Sequence, residues 1–97
     1  MFSHIGILTL KPTTSDEQVL GLAAALEALV GVVPGLLTAT VERDARLREG
    51  NADLIFRMQF DEQSSWEGYS AHPAHVAVIT DHIAPVLQSK TFLQVAG

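Results

Sequence analysis

The segment Phe2 to Leu10 constrains the fold most, because its apolar residues fall on both parities. Phe2, Leu8 and Leu10 share one face of a strand, and Ile5 and Ile7 share the other. Successive strand side chains point to opposite faces, so such a strand needs cover on both sides and belongs inside a sheet. Its neighbours are readable downstream. In Leu36 to Arg43, Leu37, Ala39 and Val41 alternate with Thr38 and Thr40. In Asp53 to Phe60, Leu54, Phe56, Met58 and Phe60 alternate with Ile55, Arg57 and Gln59. The polar stretch Ala45 to Ala52, with Gly50-Asn51, reads as the hairpin between them. Thr91 to Val95 predicts a closing strand.

Helical signals fill the gaps. Ser15 with Gln18 three residues later has the pattern of a capping box, and Asp16 and Glu17 suit the positive end of a helix dipole. Val19, Leu22, Ala23, Leu26, Leu29, Val30 and Val33 recur at helical spacing, which predicts a helix from Asp16 to about Val32, ended by Gly31 and Pro34-Gly35. Asp61 is expected to cap a short helix through Tyr69 that carries Trp66 inward. Pro73 can open another, running to about Ala84. The inner face of that helix would carry Val76, Ile79 and Ile83, or His75, Val78 and His82 if rotated.

The order is strand, helix, strand, strand, short helices, strand. It predicts an α+β ferredoxin-like domain over residues 1–97, with a four-stranded antiparallel sheet and helices on one face. The other face would then expose Ile5, Ile7, Ile55 and Leu93. Apolar area of that size marks a partner surface, so a homodimer through the open sheet face is expected.

Composition narrows the chemistry. The net charge is -5 with only six scattered basic residues, which argues against a nucleic-acid partner. There are no cysteines, so disulfides, thiolate metal sites and cysteine nucleophiles are excluded. That usage, and the lack of a basic start followed by an apolar run, make a cytoplasmic location the expectation. Apolar stretches are interrupted by Glu27, Gly31 and Pro34, so no membrane segment is expected.

Three polar rings crowd into Tyr69-Ser70-Ala71-His72-Pro73-Ala74-His75. Imidazole is the group best suited to proton transfer near neutral pH, and a helix start disfavours its charged form. A phenol can donate to or accept from an oxygen. His4 shares the parity of Phe2 and Leu8, which points it toward the helices. The competing reading is structural: a histidine at a turn often only satisfies backbone groups, and an aromatic on a helix is often core. His72 and His75 at HxxH spacing lack the further ligands zinc needs, so no metal is expected. No G-x-S-x-G elbow and no phosphate-binding glycine loop is present.

Gly68-Tyr69-Ser70-Ala71-His72-Pro73-Ala74-His75-Val76, with His4, Leu10-Lys11-Pro12 and Val33-Pro34-Gly35, resembles the stress-responsive A/B barrel (Dabb) family over essentially the whole chain. The resemblance implies a ferredoxin-like subunit pairing into a dimeric α+β barrel. It also implies a range of roles, from plant stress proteins to olivetolic acid cyclase, which closes a polyketide by aldol condensation without a cofactor. Its implied general base falls on His75 and its assisting tyrosine on Tyr69. His4 and His72 match histidines that line or support that site. Leu54 replaces a further histidine, and Ala23 and Leu26 replace gating aromatics, which implies a wider pocket and a different substrate. The substrate-contacting set is expected to be His4, His72, Ala23, Leu26, Phe56 and Val86. Some members hold magnesium on backbone carbonyls, here those of Val30, Val33 and Leu36. The expected function is therefore a cofactor-free cyclase-like or isomerase-like enzyme acting on a small apolar or carbonyl-containing ligand. The alternative is a noncatalytic stress-responsive or ligand-binding dimer. Nothing in the residues specifically supports a heme- or quinone-handling relative.

Overall fold

A computed structural model describes all 97 residues. Four strands, β1 (Phe2–Leu10), β2 (Leu36–Arg43), β3 (Leu54–Phe60) and β4 (Leu87–Ala96), form one antiparallel sheet in the order β2-β3-β1-β4. Helices α1 (Asp16–Glu27), α2 (Gln63–Ala71) and α3 (Pro73–Val78) cover one face. This is the ferredoxin-like arrangement that the element order predicts, with β1 central as its two-sided apolar pattern requires.

Register fixes which side chains meet. His4 is opposite Met58 on β3 and Gln94 on β4; Gly6 is opposite Phe56 and Phe92; Leu8 is opposite Leu54 and Lys90. The even positions of β1 therefore face the helices, and the odd positions face out. Leu22, Met58 and Phe60 are fully buried on the helix side. Each contributes about 1.5–3 kcal/mol relative to exposure. On the outer face Ile7 is 41% exposed and Leu93 58%.

Gly6 permits one unusually close approach. A Cβ on Gly6 would overlap the ring of Phe56, so that ring rests directly on the β1 backbone.

Several boundaries differ from expectation. The capping box forms: Ser15 Oγ accepts from the Gln18 N–H at 3.1 Å, and Gln18 Oε1 accepts from the Ser15 N–H at 2.8 Å. Yet α1 ends at Glu27, not near Val32. Beyond it the chain tightens into successive turns, with Val30 N–H donating to Glu27 and Val32 N–H to Leu29. Gly31, at φ 88°, then closes the helical path. These turns still bury Leu29 and Val33, so the apolar spacing outlasts the helix.

Glu62, not Asp61, occupies the N-cap position of α2 and caps nothing with its side chain. The Asp61 carboxylate instead accepts from the Ser65 hydroxyl. The helix opened by Pro73 passes at Ile79–Ile83 into a π-helical turn, where Ala84 N–H donates to Ile79 at 2.8 Å. The extra residue mixes the two inner faces proposed for it. Val78 is buried, Val76 is exposed, and His82 lies against Gly21 of α1. β4 also begins four residues earlier than expected, at Leu87, where its residues pair with β1 across a bulge at Thr9/Leu10.

Candidate functional site

The junction of α2 and α3 builds the site. The residue before a proline is pushed out of helical geometry, and His72, at ψ 131°, is extended. The chain therefore leaves α2 at Ala71 and re-enters a helix at Pro73. His72 caps the new helix: its Nδ1 accepts from the Ala74 N–H at 3.1 Å. The reversal stacks Tyr69 on His75, with ring centroids 3.9 Å apart and planes 31° from parallel.

Both rings line a cavity of about 390 Å³ between β1, β3, β4 and the helices. That volume lies within the range of small-molecule sites. Leu8, Leu26, Phe56, Trp66, Ile79, Ile83, Leu87 and Phe92 form most of its wall; His4, Ser70, Lys90 and Gln94 add polar groups. His4 is 7% exposed and centres an aromatic cluster, its ring 5.3 Å from those of Phe56 and Phe92 and 6.0 Å from Tyr69.

Hydrogen bonds assign the two imidazoles opposite tautomers. His75 Nδ1 lies 3.3 Å from the Ser70 carbonyl. A carbonyl only accepts, so Nδ1 carries the proton and Nε2 keeps its lone pair. His4 Nδ1 lies 3.0 Å from Gln94 Nε2. An amide N–H only donates, so His4 Nδ1 accepts and His4 Nε2 carries the proton. The cavity thus combines one nitrogen base with one N–H donor.

Burial favours the neutral form of both rings. It lowers the pKa of His4 to about 4, with the charge of His75 adding to the effect. It also lowers that of His75; hydrogen bonds to the Ser70 and Tyr69 carbonyls oppose the shift, and His72 adds to it. Both rings are neutral at pH 7. Tyr69 is 2% exposed, and burial raises its pKa above the ordinary phenol value. Its hydroxyl stays protonated and able to donate.

The structure places His75, Tyr69, His4, Leu26 and Phe56 on the cavity wall. His72, Ala23 and Val86 lie off it. His72 is committed to its cap. Ala23 is half-buried on α1, and Leu26 is the residue of that helix that reaches the cavity. Val86 is buried in the core, while its neighbours Ala84 and Leu87 line the cavity instead. Sequence reasoning missed Lys90, Phe92 and Gln94. The signal was present: with Leu93 on the open face, strand alternation sends residues 90, 92 and 94 inward.

The carbonyls that the resemblance assigns to magnesium, those of Val30, Val33 and Leu36, lie in the turn after α1 and at the start of β2; that of Val33 also accepts from the Leu36 N–H at 3.3 Å.

A family profile described as the stress responsive A/B barrel domain matches residues 2–94. The chain belongs to the stress-responsive A/B barrel domain family. No curated protein matches the chain. Among solved structures, this A/B barrel domain is similar to a dimeric ferredoxin-like protein from Thermobifida fusca YX, with TM-score 0.85 and 28% identity over 98% of this chain and 89% of that one. It is also similar in fold to a hydroxynitrile lyase from Passiflora edulis, with TM-score 0.83 and 14% identity over 97% and 90% of the two chains. A third similar fold is SnoaB, a cofactor-independent oxygenase from Streptomyces nogalater, with TM-score 0.78 and 11% identity over 99% and 91%. No helix of this A/B barrel domain is long and apolar enough to cross a membrane.

Proposed function

We propose that this A/B barrel domain is a cofactor-independent enzyme that moves a proton beside a carbonyl group, in the manner of a cyclase or isomerase. The observation that carries the reading is His75. Its Nδ1 is fixed by the Ser70 carbonyl, which leaves Nε2 basic, its ring is stacked on Tyr69, and the residue lines an apolar cavity. His75 Nε2 takes a proton from the carbon next to the carbonyl. The electron pair of that C–H bond moves to form a C=C bond, and the carbonyl π pair moves onto oxygen. The Tyr69 hydroxyl, with the His4 Nε2–H, stabilises the developing enolate. The His75 proton then returns to a different carbon of the conjugated enolate, or the enolate carbon attacks a second carbonyl and that proton goes to the new alkoxide oxygen. Base catalysis of this kind supplies roughly 10²–10⁴-fold, and burial strengthens each donor.

The lyase and the oxygenase are enzymes on the same fold, and the oxygenase is described as cofactor-independent. That is support by analogy, because one fold hosts many functions. The working unit is proposed to be a homodimer, as in the Thermobifida fusca relative, joined through Ile5, Ile7, Ile55 and Leu93 on the open sheet face.

The test is exchange of the α-proton of aryl alkyl ketones in D₂O, followed by NMR. The wild-type protein exchanges faster than buffer, while His75→Ala and Tyr69→Phe fall to the buffer rate with nearly unchanged melting temperatures. Ketones that perturb cavity resonances but exchange no faster than buffer would establish the noncatalytic ligand-binding reading instead.

A further inference from the structure

The cavity holds one charge that proton transfer does not use. With both imidazoles neutral, Lys90 is the only charged side chain on the wall, and no carboxylate lines it. The two ion pairs of the chain involve Arg43 with Asp16 and Arg46 with Asp53, so neither engages Lys90. Its ammonium instead lies over the face of Phe92, with Nζ 5.1 Å from the ring centroid. Lys90 is exposed, and an unpaired ammonium at the edge of an apolar cavity can meet a carboxylate in a charge-assisted contact.

Position gives that anion a place. Lys90, Phe92 and Gln94 alternate inward along β4, and Gln94 holds His4. Phe92 stands between the two ends, with Lys90 over its face and the His4 ring 5.3 Å away. A substrate that lies along Phe92 can reach from the cation toward the His4 end of the cavity.

We infer that the substrate is an aromatic or similarly flat carbonyl compound bearing a carboxylate, with the carbonyl at His75 and Tyr69 and the carboxylate on Lys90. The inference rests on the proton-transfer reading for the placement of the carbonyl, but not for the charge preference itself. Lys90 selects the substrate and orients it; it takes no part in the proton step.

The experiment compares two probes of nearly equal shape, 4-acetylbenzoate and 4-methylacetophenone, by quenching of Trp66, which lines the cavity. The full-length wild-type protein should bind the carboxylate about tenfold more tightly, as a charge-assisted contact allows. The preference should shrink as salt rises. Lys90→Met should erase the preference by weakening 4-acetylbenzoate far more than 4-methylacetophenone. Equal or undetectable binding of the two probes by wild type, or a preference that survives in Lys90→Met, overturns the inference. The two readings fail separately. A charge preference without α-proton exchange removes the enzyme and keeps the Lys90 site, and exchange without a charge preference does the reverse.

Discussion

Acidification should expose the buried state of His4. In the folded chain its pKa is about 4, against 6.5 for an unperturbed histidine. Between those values the unfolded chain binds a proton that the folded chain refuses. Stability is therefore fully present above pH 6.5, falls as pH drops through the window, and reaches its full loss below about pH 4. At 1.36 kcal/mol for each tenfold change in proton concentration, the difference amounts to about 3 kcal/mol. A loss of that size is a large share of the stability of a small domain. Carboxylates also titrate in acid, so the measurement must be a difference. Urea unfolding at fixed protein concentration, followed by Trp66 fluorescence, is compared for wild type and His4→Leu from pH 7.5 to 4. Leucine suits the surrounding Phe56, Trp66, Tyr69 and Phe92, and the Gln94 it leaves without a partner is exposed to water. His4→Leu should lose about 3 kcal/mol less than wild type across the window. Equal acid sensitivity in the two proteins, or a His4 imidazole titrating near 6.5 by NMR, would refute the reasoning.

Two further outcomes are expected. His72→Ala should cost roughly 1 kcal/mol of stability through loss of the α3 cap while leaving ketone exchange near the wild-type rate; abolished exchange in a folded His72→Ala protein would place His72 in the chemistry. Leu93→Lys on the open sheet face should shift the protein from dimer to monomer in sedimentation measurements, and a wild type that already sediments as a monomer would remove the proposed interface.

The strands were legible because they obey a short period. β1 and β2 have the limits read from alternation, and the parity of β1 placed His4 correctly toward the helices. Where the reading slipped, a longer-range term decided. Leu29 and Val33 continue the apolar spacing of α1 although the backbone has left the helix, so side-chain pattern alone overran the end. The first residues of β4, Gln88, Ser89 and Lys90, carry no apolar alternation because they lie on an edge strand with water beside it. The π-helical turn has no marker in Ile79-Thr80-Asp81-His82-Ile83; it packs against α1, with His82 beside Gly21. Spacing showed three polar rings beside one proline, and the family resemblance singled out Tyr69 and His75 among them. The opposite wall was not singled out, since Lys90, Phe92 and Gln94 reach the cavity only through their pairing with β1.

Gly6 gives the floor of the cavity an uncommon property. The Phe56 ring lies against bare backbone, so a position with no side chain decides how deep that ring sits. The depth of the chamber is then separable from its reactivity. Residue 6 carries no functional group, yet any side chain there would displace the aromatic floor and change the room left for a guest. Substrate size could thus be retuned from the central strand while His75, Tyr69 and their hydrogen bonds stay as they are, which makes this glycine, rather than any wall residue, the natural handle for reshaping what the chamber accepts.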